Sequence, residues 1–144
     1  MTGSPDSDDA RRALPPSTDD ARRDAGMRTR REVLGDAWVD RAVASTTPFT
    51  ADFQDFITRV AWGDLWQRPG LARRDRSLMT LSITIALRHW DEFALHVRAA
   101  KNNGLSDEEI AEVIQHAAVY AGVPAANHAF KVAAPILAEL RGEE

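Results

Sequence analysis

The sequence predicts an all-α fold, a compact bundle of about six helices. Three observations support it. From Met27 onward no run alternates apolar and polar residues with the period of two that a half-buried strand requires. Apolar residues recur instead at intervals of three and four, the spacing that lines one face of a helix. Residues that start and stop helices stand at the edges of those stretches, most clearly Ser106, Gly122 and Pro124.

In chain order, residues 1–26 are almost entirely Asp, Arg, Ser, Thr, Pro, Ala and Gly, with Met1 and Leu14 their only large aliphatic side chains. Such a stretch buries too little apolar surface to offset the entropy of ordering it. A disordered tail over residues 1–26 is therefore expected, followed by one helical domain over residues 27–144. Arg30–Ala44 supplies one or two helices, and residues 51–62 carry Phe53, Phe56, Ile57 and Val60 at helical spacing. Asp75 to Leu87 is apolar nearly all round, through Leu78, Met79, Leu81, Ile83, Ile85, Ala86 and Leu87. That suits a central helix covered by neighbours or by another subunit, or else a buried strand. Trp90, Phe93, Ala94, Val97 and Ala100 mark an amphipathic helix ending at Asn103-Gly104. Ser106 and Glu109 then form a capping-box signature, after which Ile110, Val113, Ile114, Ala117 and Ala121 line one face up to Gly122. Pro124 suits the first turn of the last helix, where Ala129, Ala133, Ile136 and Leu140 repeat the spacing and Pro135 marks a place for a kink.

Composition narrows the function classes. The 144 residues include no cysteine, which removes disulfides, thiolate metal sites and cysteine nucleophiles. A formal net charge of −4 gives no basic footprint for nucleic acid, so no nucleic-acid partner is expected. No apolar stretch approaches the roughly 20 residues of a spanning helix, and the N-terminus lacks the basic-then-apolar order of a secretory signal. A soluble cytoplasmic protein without a membrane partner is the expectation.

Three sets of residues have the chemistry for a site. His89, Glu92 and His96 share an arc of roughly 60° if they lie on one continuous helix, putting two imidazoles and a carboxylate on one stripe. The spacing alone leaves a proton relay, a metal site and a solvated face open. Arg68, Arg73, Arg74 and Arg76 form a basic cluster, joined by Arg88 if residues 75–88 are helical. Guanidinium forks bind carboxylates, while pairing with the equally abundant acidic side chains at the surface is the plainer explanation for any one of them. Trp62, Trp66 and Trp90 suit core or interface anchors, and Tyr120, Asn127 and His128 flank the Gly122-Pro124 turn.

Several longer stretches add a resemblance. Trp62-Gly63-Asp64-Leu65-Trp66-Gln67-Arg68-Pro69-Gly70-Leu71 and Arg73-Arg74-Asp75-Arg76-Ser77-Leu78 resemble motifs of the 4-carboxymuconolactone decarboxylases. The similarity continues through Glu92-Phe93-Ala94-Leu95-His96-Val97, Asn103-Gly104-Leu105-Ser106, Glu109-Ile110-Ala111-Glu112-Val113-Ile114 and Tyr120-Ala121-Gly122-Val123-Pro124-Ala125-Ala126, covering most of residues 27–140. The wider superfamily includes alkylhydroperoxidase-like enzymes, whose CxxC pair precedes a histidine that His96 matches. His89 and Glu92 occupy the cysteine positions here, and the superfamily's upstream glutamate falls at Ser77. Thiol peroxidase chemistry is thereby excluded.

The resemblance implies an alkylhydroperoxidase-like helical subunit in a homo-oligomer, commonly a hexamer. It also implies conversion of 4-carboxymuconolactone to 3-oxoadipate enol-lactone in protocatechuate degradation by the β-ketoadipate pathway, with no required metal or organic cofactor. The implied partner is a small dicarboxylate lactone whose own carbonyl accepts the electrons released with carbon dioxide. On this reading His96 is the candidate general acid, as an imidazole near its ordinary pKa. Glu92 orients it or carries the proton, and His89 is the alternative donor. Arg73 and Arg76 are candidates for carboxylate binding, with Ser77, Trp62, Trp66, Tyr120 and His128 as further candidate substrate contacts. No G-x-S-x-G nucleophile elbow is present, so the reaction is expected to stop at the enol-lactone. Two other readings remain: a related enzyme acting on another lactone or small carboxylic acid, and a non-catalytic helical oligomer.

Overall fold

A computed structural model describes residues 14–143, and among these the regular structure is entirely helical. The chain divides into two compact units, Met1–Ala72 and Arg73–Glu144.

In the first unit, α1 spans Asp19–Leu34, α2 spans Asp36–Ala44, and α3 spans Ala51–Ile57 and runs on into a π-helical turn, Thr58–Trp62. A short 3₁₀ turn, Leu65–Gln67, follows. Thr18 caps α1 by accepting from the Ala21 amide, and Asp19 and Asp20 in the first turn complement the positive end of the helix dipole. Helix α1 thus begins at Asp19, eight residues inside the stretch expected to be a tail; residues 1–13 lie outside the described residues. Backbone contact adds to the burial of Ala25, Val33 and Leu34 on this helix. A Cβ on Gly26 would strike the Thr58 carbonyl oxygen, and one on Gly63 would strike the Arg22 carbonyl oxygen. Two glycines let α1 press against the π-helical turn, backbone on backbone. Around this crossing Gln67 donates through Nε2 to the Ala25 carbonyl at 3.1 Å and to the Thr29 hydroxyl. Buried Arg30 stands over the Trp38 ring, 5.5 Å from its centre.

The second unit contains α4 (Arg73–Ala86), α5 (Trp90–Asn102), α6 (Asp107–Ala121) and α7 (Val123–Leu140). Leu81 and Ile85 of α4, Phe93 and Val97 of α5 and Ile110 and Ile114 of α6 fill its core. Ala125, Ala126, Ala129 and Ala133 give α7 a smooth inner face that seats close against them. The capping box forms as expected: Glu109 N–H donates to Ser106 Oγ at 3.1 Å, and Ser106 N–H donates to Glu109 Oε2 at 2.9 Å. Gly122, at φ 104°, separates α6 from α7, and α7 continues through Pro135 to Leu140.

Helix α4 is buried on one side only. Leu81 and Ile85 are inaccessible, whereas Met79, Ile83 and Leu87 are exposed on this chain. Its hydroxyls turn inward to their own helix, with Thr80, Ser82 and Thr84 donating to the carbonyls of Arg76, Leu78 and Thr80. The helix also ends earlier than the apolar run suggested. His89 N–H donates to the Thr84 carbonyl at 2.9 Å and Arg88 N–H to the Ile85 carbonyl at 3.1 Å, with Arg88 at φ 56°. This is the Schellman closure, with the left-handed position occupied by arginine. Arg76 and Arg88 therefore do not share one helix face, as a helix over residues 75–88 would have required.

Candidate active site

The α4–α5 turn places the expected chemistry. His89 is the N-cap of α5, at φ −84° and ψ 77°, so it stands just outside the helix instead of within one continuous stripe. Its carbonyl accepts from Phe93 N–H at 2.9 Å, while its side chain makes no capping hydrogen bond. Glu92 and His96 are one turn apart on α5, with Glu92 Oε2 3.9 Å from His96 Nε2. Arg88, His89, Trp90, Asp91 and Glu92 line an open hollow of about 560 Å³. His128 of α7 reaches the same end of the unit, its ring centre 4.4 Å from that of Trp90. The structure thus sets Glu92 beside His96 on α5 and His89 beside Glu92 at the hollow, while His128 meets the ring of Trp90.

Electrostatically the two members of the Glu92–His96 pair differ. Glu92 is largely exposed, with 63% of its side-chain surface accessible, whereas His96 retains 8%. Burial in apolar surroundings disfavours the imidazolium and pushes the His96 pKa down to about 4. This corrects the expectation of an imidazole near its ordinary value, because α5 turns His96 inward beside Phe93 and Val97, which are both inaccessible. At neutral pH His96 is uncharged in the free protein.

The other candidates fall elsewhere. Arg73, Arg76 and Ser77 occupy the start of α4, with Arg76 and Ser77 buried. Asn103 Nδ2 donates to Ser77 Oγ at 2.9 Å, which ties the start of α4 to the end of α5. Asn103 lies seven residues beyond His96 along α5, two turns or about 10 Å. Arg74 is committed to Glu109, with Nη2 2.6 Å from Oε1. Tyr120 is not at the hollow: it is 81% exposed, stacks on His116 with ring centres 5.0 Å apart, and lines a different recess with Ile83 and Ala86. In the first unit Trp62 and Trp66 are buried and stacked on each other, ring centres 5.2 Å apart. Among the described residues no cluster of three or more His, Cys, Asp or Glu side chains has a metal-binding arrangement, and no helix is long and apolar enough to cross a membrane.

Sequence reasoning missed Arg88 as a contributor to this end of the unit, having placed it on the flank of α4. The available signal was the junction itself, where the apolar run of α4 gives way to Arg88-His89 before the Trp90 helix without glycine or proline.

Comparison with known proteins bears on what such a site does. The model of the carboxymuconolactone decarboxylase family matches residues 51–135. A 4-carboxymuconolactone decarboxylase from Acinetobacter baylyi is 43% identical over 122 residues, covering 85% of this chain and 91% of the relative. A nitrosuccinic acid decarboxylase from Metarhizium robertsii is 48% identical over 109 residues, 76% of each chain. A 4-carboxymuconolactone decarboxylase sequence from Pseudomonas putida is 56% identical over 43 residues, 30% of this chain and 90% of its own length. With more than half its length matched by the family model and a long, closely similar relative, this chain belongs to the carboxymuconolactone decarboxylase family and is a decarboxylase.

Proposed function

We propose that the enzyme converts 4-carboxymuconolactone to 3-oxoadipate enol-lactone with release of carbon dioxide, a step of protocatechuate degradation. The observation that carries this reading is the 43% identity to the Acinetobacter enzyme over nearly the whole of both chains. The site chemistry supports it. Breaking the bond from the ring carbon to its carboxyl group sends two electrons through the ring double bond onto the lactone carbonyl. A proton then adds to the ring carbon beside that carbonyl. One proton from solvent is consumed for each carbon dioxide released.

His96 and Glu92 serve the proton step. A neutral buried imidazole is a poor acid source by itself, but a doubly negative substrate beside it favours its protonated form. The imidazole is charged when the site is filled, gives its proton to the ring carbon, and regains one through solvent-facing Glu92. Burial also keeps water from the developing anion. His89, at the rim of the hollow, faces the oxyanion side as a hydrogen-bond donor. The enzyme works as a homo-oligomer, commonly a hexamer in proteins of this kind. The recess of about 350 Å³ lined by Ile83, Ala86 and Tyr120 supplies an apolar face for assembly.

A second reading is favoured by the 48% identity to the nitrosuccinic acid decarboxylase. A nitro group beside the departing carboxylate accepts its electron pair as the lactone carbonyl does, so one acid–base pair serves both substrates. Ultraviolet absorbance of the unsaturated lactone, followed with purified protein and run beside nitrosuccinic acid, separates them. Saturable loss of the lactone with enol-lactone formation is expected. No turnover of the lactone overturns the first reading, and efficient turnover of nitrosuccinic acid alone establishes the second.

A further inference from the structure

We infer that Arg88 holds the carboxylate that the substrate keeps, an assignment that rests on the decarboxylase reading of the His89–Glu92–His96 site. Three helices of the second unit close in the same way. After α5, Gly104 N–H donates to the Lys101 carbonyl and Leu105 N–H to the Ala100 carbonyl, with Gly104 at φ 90°. After α7, Gly142 and Glu143 donate to the carbonyls of Glu139 and Ala138, with Gly142 at φ 76°. After α4 the same pair of bonds forms around Arg88, the one non-glycine residue with positive φ among the described residues. A side chain there is strained relative to glycine, and such strain persists where the side chain has a task.

The task is not structural pairing. Arg88 is exposed and makes no side-chain hydrogen bond or ion pair with any described residue, although Asp91 and Glu92 line the same hollow. Those two carboxylates sit in the first turn of α5, where they complement the helix dipole. The left-handed turn instead delivers a guanidinium to the mouth of the hollow that has His89 and Glu92 on its wall, with His96 one turn beyond.

Chemistry decides which carboxylate it takes. The departing group loses its charge in the transition state, so a cation bound to it would stabilise the ground state and slow the reaction. The retained carboxylate keeps its charge throughout, and a bidentate arginine holds it without that penalty. The ligand class is therefore a small dicarboxylate, with one carboxylate on Arg88 at the mouth and the other turned inward.

The test compares wild type with Arg88→Gly and Arg88→Lys. Arg88→Gly relieves the left-handed strain, so its melting temperature is expected to equal or exceed that of wild type. With 4-carboxymuconolactone its KM should rise about tenfold or more, by more than kcat falls, and added guanidinium ion should restore part of the loss. Arg88→Lys keeps the charge without the fork and should fall between the two. Titration with succinate, followed by chemical shifts, tests the site without turnover and is expected to show affinity lowered about tenfold in Arg88→Gly. If wild type fails to turn the lactone over, the proposed reaction falls while the succinate titration still decides Arg88. Equal succinate affinity in wild type and Arg88→Gly, or no saturable binding by wild type, overturns the assignment.

Discussion

Replacing His96 by glutamine should remove a specific part of the protein's acid sensitivity. In the folded state the buried imidazole takes up a proton only near pH 4, whereas in the unfolded chain it does so near its ordinary value of 6.5. Between these values the unfolded chain binds more protons, so stability is complete above about pH 6.5 and falls as the pH drops toward 4. At pH 5 the difference amounts to about 2 kcal/mol relative to neutral pH. Because only 8% of the side chain is accessible, solvent screening takes little from that figure. The nearby Glu92 carboxylate at 3.9 Å favours the imidazolium and works against the effect, but burial outweighs it. Urea unfolding of wild type and His96→Gln, at pH 7.5 and 5.0 and one protein concentration, measures this directly. Wild type should lose about 2 kcal/mol more than the variant on going to pH 5. The carboxylates held low by arginine or lysine, such as Asp55 and Asp107, titrate below this window and are common to both proteins. Equal losses would refute the argument that His96 is neutral in the folded state.

Other substitutions test other links. His96→Gln should also lower kcat by about 10²–10⁴-fold at neutral pH with the helical circular dichroism signal intact, and near-normal turnover would remove His96 from the proton step. Gly26→Ala places a methyl group against the Thr58 carbonyl and should cost about 3 kcal/mol or more in chemical denaturation; a cost below 1 kcal/mol would contradict the backbone crossing. Ser106→Ala removes one half of the capping box at α6 and should cost about 1 kcal/mol. Phe93→Ala, in the inaccessible core of the second unit, should cost about 3–5 kcal/mol.

What the sequence disclosed follows from the range of the forces involved. The capping box at Ser106, the Gly122 break and the helical face of α6 are local patterns, and each forms as the spacing indicated. The start of α1 is hidden because composition measures apolar side chains, while that helix is also held by glycine contacts with residues more than thirty positions away. Arg88 was misplaced because arginine rarely adopts the left-handed conformation, so an apolar run that continues to Leu87 reads as helix to its end. His89, Glu92 and His96 were legible as a group from spacing and resemblance. The inward turn that neutralises His96 depends on the packing of α5, which spacing alone does not convey. Trp62 and Trp66, candidate substrate contacts on the sequence, are buried in the first unit and stack on each other.

The second unit is built of hairpins, α4 with α5 and α6 with α7, whose partners are neighbours in the chain. Its order of assembly is thereby favoured toward short loops. Closing the two turns costs little chain entropy, and the inner alanines of α7 then meet a surface already formed. Such local topology belongs to the fast regime of folding, milliseconds or less. A slower phase in refolding that quickens with protein concentration would accordingly report encounters between chains, separating the kinetics of assembly from those of the fold itself.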